Sequence, residues 1–161
     1  MVACGDADGA VTGNTRRFGA SLEKIKQVVD VRDGEIMFGL NMVVHKSKTI
    51  FVGDTSVHEY PTSEQMAEIA ISTARVVRLF GFEPKVAFVS HSTFGQPLTS
   101  RTKHIRKAVD ILKGQKVDFE FDGDMQPDVA LNSEYEELYP FSKIVGKANI
   151  LIMPGQHSAA I

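Results

Sequence analysis

The stretch Thr49-Ile50-Phe51-Val52-Gly53-Asp54, running through Pro61-Thr62-Ser63-Glu64-Gln65 into a periodic segment that ends at Phe80-Gly81, decides the fold of this chain. Ile50, Phe51 and Val52 form a short apolar run closed by Gly53-Asp54, the pattern of a strand buried in a parallel or mixed sheet. Pro61 stops the loop, and Thr62 with Gln65 has the reciprocal spacing of a capping box. Met66, Ile69, Ala70, Thr73, Val77 and Phe80 then share one helical face, and Gly81 is placed to end the helix, predicted over 62–80. Strand, loop and helix together are the unit of layered α/β domains.

Upstream, Asp33-Gly34 marks a turn and 36–44 alternates. Ile36, Phe38, Leu40, Met42 and Val44 make one strongly apolar face of a predicted strand. His45-Lys46-Ser47-Lys48 is a short polar connection, so 36–44 and 49–52 predict an antiparallel hairpin inside a mixed sheet, with His45 solvated. Further back, Gly5, Gly9 and Gly13 precede Arg16-Arg17 without the Gly-Lys-Ser/Thr of a phosphate loop or the GxGxxG of a dinucleotide turn. Two readings stay open there: an anion held by free amides with Arg16 and Arg17 at a helix start, or a tight turn with two solvated arginines. Phe18, Leu22, Ile25 and Val29 follow as a core-facing helical stripe.

Downstream, 85–89 reads as another buried strand, leading into Ser90-His91-Ser92-Thr93-Phe94-Gly95-Gln96-Pro97. Ligands of α/β sheets sit beyond the carboxyl ends of strands, so this loop is placed to bind one. His91 beside Ser92 suggests base and nucleophile, but adjacent residues seldom aim at each other and no acid is spaced to orient them. Ile105, Ala108, Val109 and Leu112 give the next helix its apolar stripe, with Gly114 as its stop. Its other face carries Arg101, Lys103, His104, Arg106 and Lys107, either a solvated face or a place where Arg101 or Lys103 meets a phosphorylated ligand. A strand is predicted over 117–121. Asp122, Asp124 and Asp128 after it lack calcium-loop spacing and read as turn and cap residues. A short helix over 127–131, a Glu-rich loop and a last strand over 148–153 follow, with Gln156-His157-Ser158 at that strand's carboxyl end.

The 161 residues suffice for one domain, and 43% hydrophobic with 24% charged residues is an ordinary globular composition. A formal charge of -2 carries no nucleic-acid footprint, and no apolar run suits a membrane span or a signal peptide. Cys4 stands alone, so no internal disulfide forms and a cytoplasmic setting is expected. The histidines are scattered, with no zinc pattern, so no metal site and no catalytic set is assigned. The abrupt ends, Val2-Ala3-Cys4-Gly5-Asp6 and Ser158-Ala159-Ala160-Ile161, suggest a piece of a longer polypeptide. The residues alone thus predict an α/β domain with a small-molecule cleft.

Several stretches resemble the phosphate acetyltransferases. They are Ala7-Asp8-Gly9 with Val11-Thr12-Gly13, Val52-Gly53-Asp54, Pro61-Thr62-Ser63-Glu64-Gln65 into Ala67-Glu68-Ile69-Ala70, Ser92-Thr93, Asp122-Gly123 with Gln126 and Asp128, and Ala130. The resemblance implies that family's inserted second subdomain, a three-layer α/β/α sandwich with a mixed, mostly parallel sheet beside an acetyl-CoA cleft. Departures are visible. Arg16-Arg17-Phe18-Gly19-Ala20-Ser21 replaces His-Ser-Thr-Ala-Asp-Thr, and Glu23 stands where the family carries an arginine. Phe94-Gly95-Gln96-Pro97 replaces a small-residue loop, and His157-Ser158-Ala159-Ala160 replaces Asn-Thr-Gly-Asn. The family's catalytic Ser-Arg-Gly segment would lie beyond Ile161.

Other stretches resemble the version of the family fused behind malic enzymes in bacterial hybrid proteins: Val52-Gly53-Asp54-Thr55-Ser56-Val57-His58, His91-Ser92-Thr93-Phe94-Gly95, Asp118-Phe119-Glu120-Phe121-Asp122-Gly123, Tyr139-Pro140-Phe141 and Met153-Pro154-Gly155-Gln156-His157-Ser158-Ala159. The resemblance implies a catalytically inactive domain that regulates or assembles a malic enzyme. Its effector would be acetyl-CoA or a related CoA ester. NAD(P) and a divalent metal, Mg or Mn, would serve the parent enzyme outside these residues, within a homo-oligomer. Ser92, Thr93, Phe94, Gly95, Asp122 and Gln126 are then expected to line the acetyl-CoA cleft, with Arg101 or Lys103 near a phosphate. Part of an active phosphate acetyltransferase and a purely structural oligomerising module are the alternatives.

Overall fold

The computed structural model describes residues 1–160 and divides into two compact units, Met1–Glu35 and Ile36–Ile161. In the first, a 3-10 turn at Val2–Cys4 precedes helix α1 (Phe18–Lys26). No residue of α1 is buried, Phe18 and Ile25 are exposed and Leu22 is half-buried, so the expected core-facing stripe encloses no core. Thirty-five residues are too few to enclose an apolar stripe. Arg16 and Arg17 are exposed ahead of a helix start that lacks a side-chain cap.

The second unit is built on a five-stranded sheet in the order β1-β2-β5-β3-β4. Its elements are β1 (Leu40–His45), β2 (Lys48–Gly53), α2 (Ser63–Leu79), β3 (Lys85–Val89), α3 (Ser100–Gln115), β4 (Glu120–Met125), α4 (Pro127–Leu131), β5 (Ile150–Ile152) and α5 (Gln156–Ala159). β1 pairs antiparallel with β2 from Leu40↔Gly53 to His45↔Lys48, and the remaining pairs are parallel. The sheet is therefore mixed and mostly parallel, as expected, and each parallel step crosses over through a helix.

Strand period sorts the core into two faces. Phe51, Val86, Phe88, Ile150 and Ile152 pack with α2 and α3, while Ala87, Val89, Met125 and Leu151 pack with α4 and with Ile144 and Val145. One covering layer is thus a helix pair; the other is a five-residue helix with an irregular run. Each large side chain buried in this way stabilises the fold by ~1.5–3 kcal/mol.

α2 starts as its sequence predicts. Gln65 N–H donates to Thr62 Oγ1 (3.1 Å) and Thr62 N–H donates to Gln65 Oε1 (2.8 Å). At its end, Gly81 N–H reaches the Arg78 carbonyl and Phe82 N–H that of Val77, a Schellman closure. Phe80, expected on the buried face, is 55% exposed and meets Phe51 with its ring tilted, 5.8 Å between ring centroids. α3 opens with a second box, Thr99 with Thr102, and runs past Gly114 to a left-handed cap at Lys116. Its buried stripe is the predicted Ile105, Ala108, Val109 and Leu112. Lys107 Nζ donates to Glu64 Oε1 (2.7 Å), and that bond holds the exposed Glu64 carboxyl down at about 2.

Three strands depart from expectation by more than one residue. β1 begins at Leu40 rather than residue 36, and Met42 and Val44 are 49% and 65% exposed. α2 packs chiefly on β2, β5 and β3, so of the alternating face of the edge strand β1 only Leu40 reaches the core. β4 runs over Glu120–Met125 instead of 117–121, with Val117 and Phe119 still packed in the core ahead of it. The shift brings Gly123 (φ +146°) against Phe88, where a Cβ would fall 2.7 Å from the Phe88 carbonyl oxygen, so only glycine fits. The last strand is Ile150–Ile152, the central part of the predicted 148–153.

Candidate functional site

Because β2, β5, β3 and β4 are parallel, their carboxyl ends meet at one edge of the sheet. A cleft of about 380 Å³ opens there. Val89, Ile105, Pro127 and Met153 give it apolar walls. Ser90 and His91 come from the loop after β3, Glu59 and Tyr60 from the loop after β2, Arg101 from α3, and Pro154, Gly155, His157 and Ser158 from the chain after β5. Polar groups converging on a largely apolar concavity at strand ends are the usual form of a small-ligand site.

Arg101 and His157 sit together on one lip of this cleft. The Arg101 guanidinium lies over the Tyr60 ring, 5.6 Å from its centroid. His157 Nε2 is 3.6 Å from Glu59 Oε1, and its ring centroid is 6.1 Å from that of Tyr60. Gln156 N–H donates to the Glu59 carbonyl (3.2 Å), so this lip sits directly on α5.

Two Gly-Asp pairs, each at the carboxyl end of a strand, organise the loops. Asp54 is buried. Its Oδ1 accepts the N–H groups of Gly39 (2.7 Å), Ser56 (3.0 Å) and Val57 (3.2 Å). Its Oδ2 accepts the N–H (2.9 Å) and ring Nδ1 (2.7 Å) of His58. Burial pushes this carboxyl up, but the hydrogen bonds from Ser56, His58, Gly39 and Val57 outweigh it and hold the group below its ordinary 3.8. Asp124 is fully buried and accepts the Ser92 hydroxyl and the Gly95 N–H (3.3 Å). Its other oxygen makes no hydrogen bond, with Arg106 Nε 4.0 Å away.

Of the eight residues expected to line a ligand cleft, Arg101 alone is in the wall of this one. Ser92 is buried on Asp124 and shares a 3.2 Å contact with the cleft residue Ser90. Its hydroxyl therefore does not form a pair with His91. Thr93 Oγ1 accepts the Gln126 N–H (3.3 Å), and Gln126 Nε2 donates to the His91 carbonyl (3.0 Å), so both splice the β3 and β4 loops behind the wall. Phe94 packs against Tyr139 with a tilted ring and meets Phe141 edge to face, at 5.3 and 4.8 Å between centroids. Gly95 packs under Arg106, and Asp122 accepts the N–H of Gly123. Lys103 is exposed. His104, expected on a solvated face, instead bonds the Pro61 carbonyl through Nε2 (3.1 Å) and meets Ser63 Oγ through Nδ1 (3.1 Å).

Tyr60 and His157 at the lip and the Asp54 carboxylate beneath it have no role in the sequence reading, and Asp124, expected as a turn or cap residue, is instead a buried acceptor for Ser92 and Gly95. The signal available was the repeated Gly-Asp at a strand's carboxyl end, Gly53-Asp54 and Gly123-Asp124. Among the described residues no cluster of His, Cys, Asp and Glu is arranged to hold a metal ion, and no helix is long and apolar enough to cross a membrane.

The family described as phosphate acetyl/butaryl transferase matches residues 1–161. The chain is 45% identical to an NADP-dependent malic enzyme of Rhizobium meliloti over 161 residues, which is 100% of this chain and 21% of that protein. It is 38% identical to an NADP-dependent malic enzyme of Salmonella typhimurium over 163 aligned positions, again 100% of this chain and 22% of that protein. It therefore spans about a fifth of the length of these relatives. Among solved structures, a phosphotransacetylase from Streptococcus pyogenes superposes with TM-score 0.88 at 28% identity, over 98% of this chain and 49% of that one.

Proposed function

This chain belongs to the phosphate acetyl/butaryl transferase family, and from that premise we propose that it is the phosphotransacetylase-like regulatory and assembly domain of a bacterial malic enzyme. It transfers no acetyl group itself and senses acetyl-CoA or a related CoA ester. The observation that carries the reading is the match of this entire chain to part of two NADP-dependent malic enzymes, at 45% and 38% identity against 28% for the phosphotransacetylase structure. The resemblance that places Glu23 where the family carries an arginine supports the loss of transfer, because an anion there repels phosphate. The parent enzyme oxidatively decarboxylates malate to pyruvate, with NAD(P) and Mg or Mn bound outside these residues. It works in the cytoplasm as a homo-oligomer.

The cleft residues fit such an effector. Arg101 supplies a guanidinium for a phosphate beside the open face of Tyr60, and Val89, Ile105 and Met153 supply an apolar wall for the uncharged arm. The loop residues Ser92, Thr93, Phe94, Gly95 and Gln126 support that wall from behind.

The test is malate-dependent reduction of NADP⁺ and NAD⁺ by the full-length polypeptide, with and without acetyl-CoA. An allosteric coupling of about 1–3 kcal/mol predicts a response of roughly 5- to 150-fold where binding coupling carries into rate. Arg101→Ala is expected to diminish that response. Acetyl phosphate formation from acetyl-CoA would instead establish an active acetyltransferase. Turnover indifferent to acetyl-CoA, with assembly lost on deleting the domain, would leave a structural module.

A further inference from the structure

The cleft lip, His58-Glu59-Tyr60-Pro61, is irregular chain between β2 and α2 and forms no rung of the sheet. Backbone of this kind takes its position from what its ends are tied to. Both ends are tied by imidazoles. At the start, His58 gives its N–H and its ring Nδ1 to Asp54 Oδ2. Asp54 cannot follow the lip outward, because its other oxygen is bound by three further amides. A carboxylate is only an acceptor, so the proton lies on Nδ1 and the ring orientation is set. At the far end, His104 of α3 donates from Nε2 to the Pro61 carbonyl. Between these ties, the Glu59 carbonyl rests on α5 and the Tyr60 ring lies under Arg101.

We infer that His58 and His104 are positioning residues for the cleft, holding the Glu59 and Tyr60 lip so that Tyr60 keeps the Arg101 guanidinium at the ligand. The inference rests on the acetyl-CoA reading for the ligand's identity and on the lip's own geometry for the rest. It concerns side chains that touch no ligand and act through Tyr60.

The experiment compares His58→Ala with His58→Asn, whose amide nitrogen replaces Nδ1, and His104→Ala with His104→Gln, whose amide nitrogen replaces Nε2. All are made in the full-length polypeptide. Backbone hydrogen exchange over residues 56–60 reads the lip without any ligand, calorimetry reads acetyl-CoA affinity, and exchange at the buried amides of β3 checks that the fold is intact. Losing one charge-assisted tie predicts about tenfold faster exchange in the lip and about tenfold weaker acetyl-CoA binding for His58→Ala. His104→Ala is expected to act in the same direction, and the two amide variants to restore both readouts. Unchanged lip exchange in both alanine variants overturns the inference. So does faster exchange with unchanged affinity, or a failure of Asn and Gln to restore what Ala removes. If the unaltered polypeptide binds no acetyl-CoA, the acetyl-CoA reading falls by that result alone. The exchange response then still decides whether the histidines hold the lip.

Discussion

Gly155→Ala tests the cleft geometry most directly. Gly155 has φ 162° and ψ 168°, extended backbone that alanine adopts freely, so any effect comes from space alone. An added Cβ would lie 2.5 Å from the Glu59 carbonyl oxygen and 3.3 Å from Arg101 Nη2, whereas ordinary contact begins at 3.4 Å. The nearest atom is backbone, which cannot rotate away as a side-chain tip would. The Glu59 carbonyl must retreat, and the bond it accepts from Gln156 N–H at 3.2 Å is lost with it. That loss is worth about 1 kcal/mol, and overpacking adds about 1–3 kcal/mol. If ligand binding needs the original lip, even 2 kcal/mol corresponds to an acetyl-CoA affinity about 30-fold weaker. Calorimetry of the full-length variant reads the affinity, and hydrogen exchange at the Gln156 amide reads the lip directly. An unaltered Gln156 amide together with an unaltered affinity would refute the reasoning, because the clash would then have been absorbed elsewhere.

Other substitutions probe the fold around the site. Gly114→Ala has nothing within 4 Å of the new methyl and lies inside α3, so it should stabilise by about 0.5–1 kcal/mol in urea denaturation; a loss of stability would contradict the helical assignment. Leu112→Ala removes a fully buried side chain and should cost about 2–5 kcal/mol in the same assay, with a cost near zero excluding the packed α3 stripe. Asp54→Ala should destabilise by at least about 2 kcal/mol near neutral pH, since five donors lose their acceptor. The folded carboxyl titrates below 3.8, so its contribution is complete above the unfolded-state value and disappears as pH falls through the folded one. The gap between wild type and Asp54→Ala should therefore close on acidification below about pH 4, and a gap of constant size would count against the hydrogen-bonded carboxylate.

The elements that local chemistry specifies are legible in the chain. The Thr62–Gln65 box, the buried stripe of α2 up to Val77 and that of α3, strand β3 and the Pro-led helix α4 all stand where their residues put them. Each depends on spacing within a few residues, which sequence displays openly. Errors arise where a neighbour decides. β1 alternates well but lies at the sheet edge, away from the strands on which α2 chiefly packs, so Met42 and Val44 stay exposed. β4 takes its register from Phe88 across the sheet, a contact no local pattern announces.

The site divides along the same line. By itself, the sequence determined that strands end in polar Ser-, Asp- and His-bearing loops, that these strands are mostly parallel, and that the family is the phosphate acetyl/butaryl transferases. Strand termini, caps and turns are short-range decisions, so the chain states them locally. Only the tertiary structure decided which loop residues face the ligand and which face one another. Ser92 satisfies a buried aspartate, Phe94 joins an aromatic cluster, and Arg101 crosses from α3 to Tyr60. The physical reason is the cost of an unpaired buried polar group: Asp124 draws Ser92 and Gly95 from the loop after β3, and Asp54 draws Gly39 from across the chain as well as its own neighbours, so those groups are committed to one another rather than to the cleft.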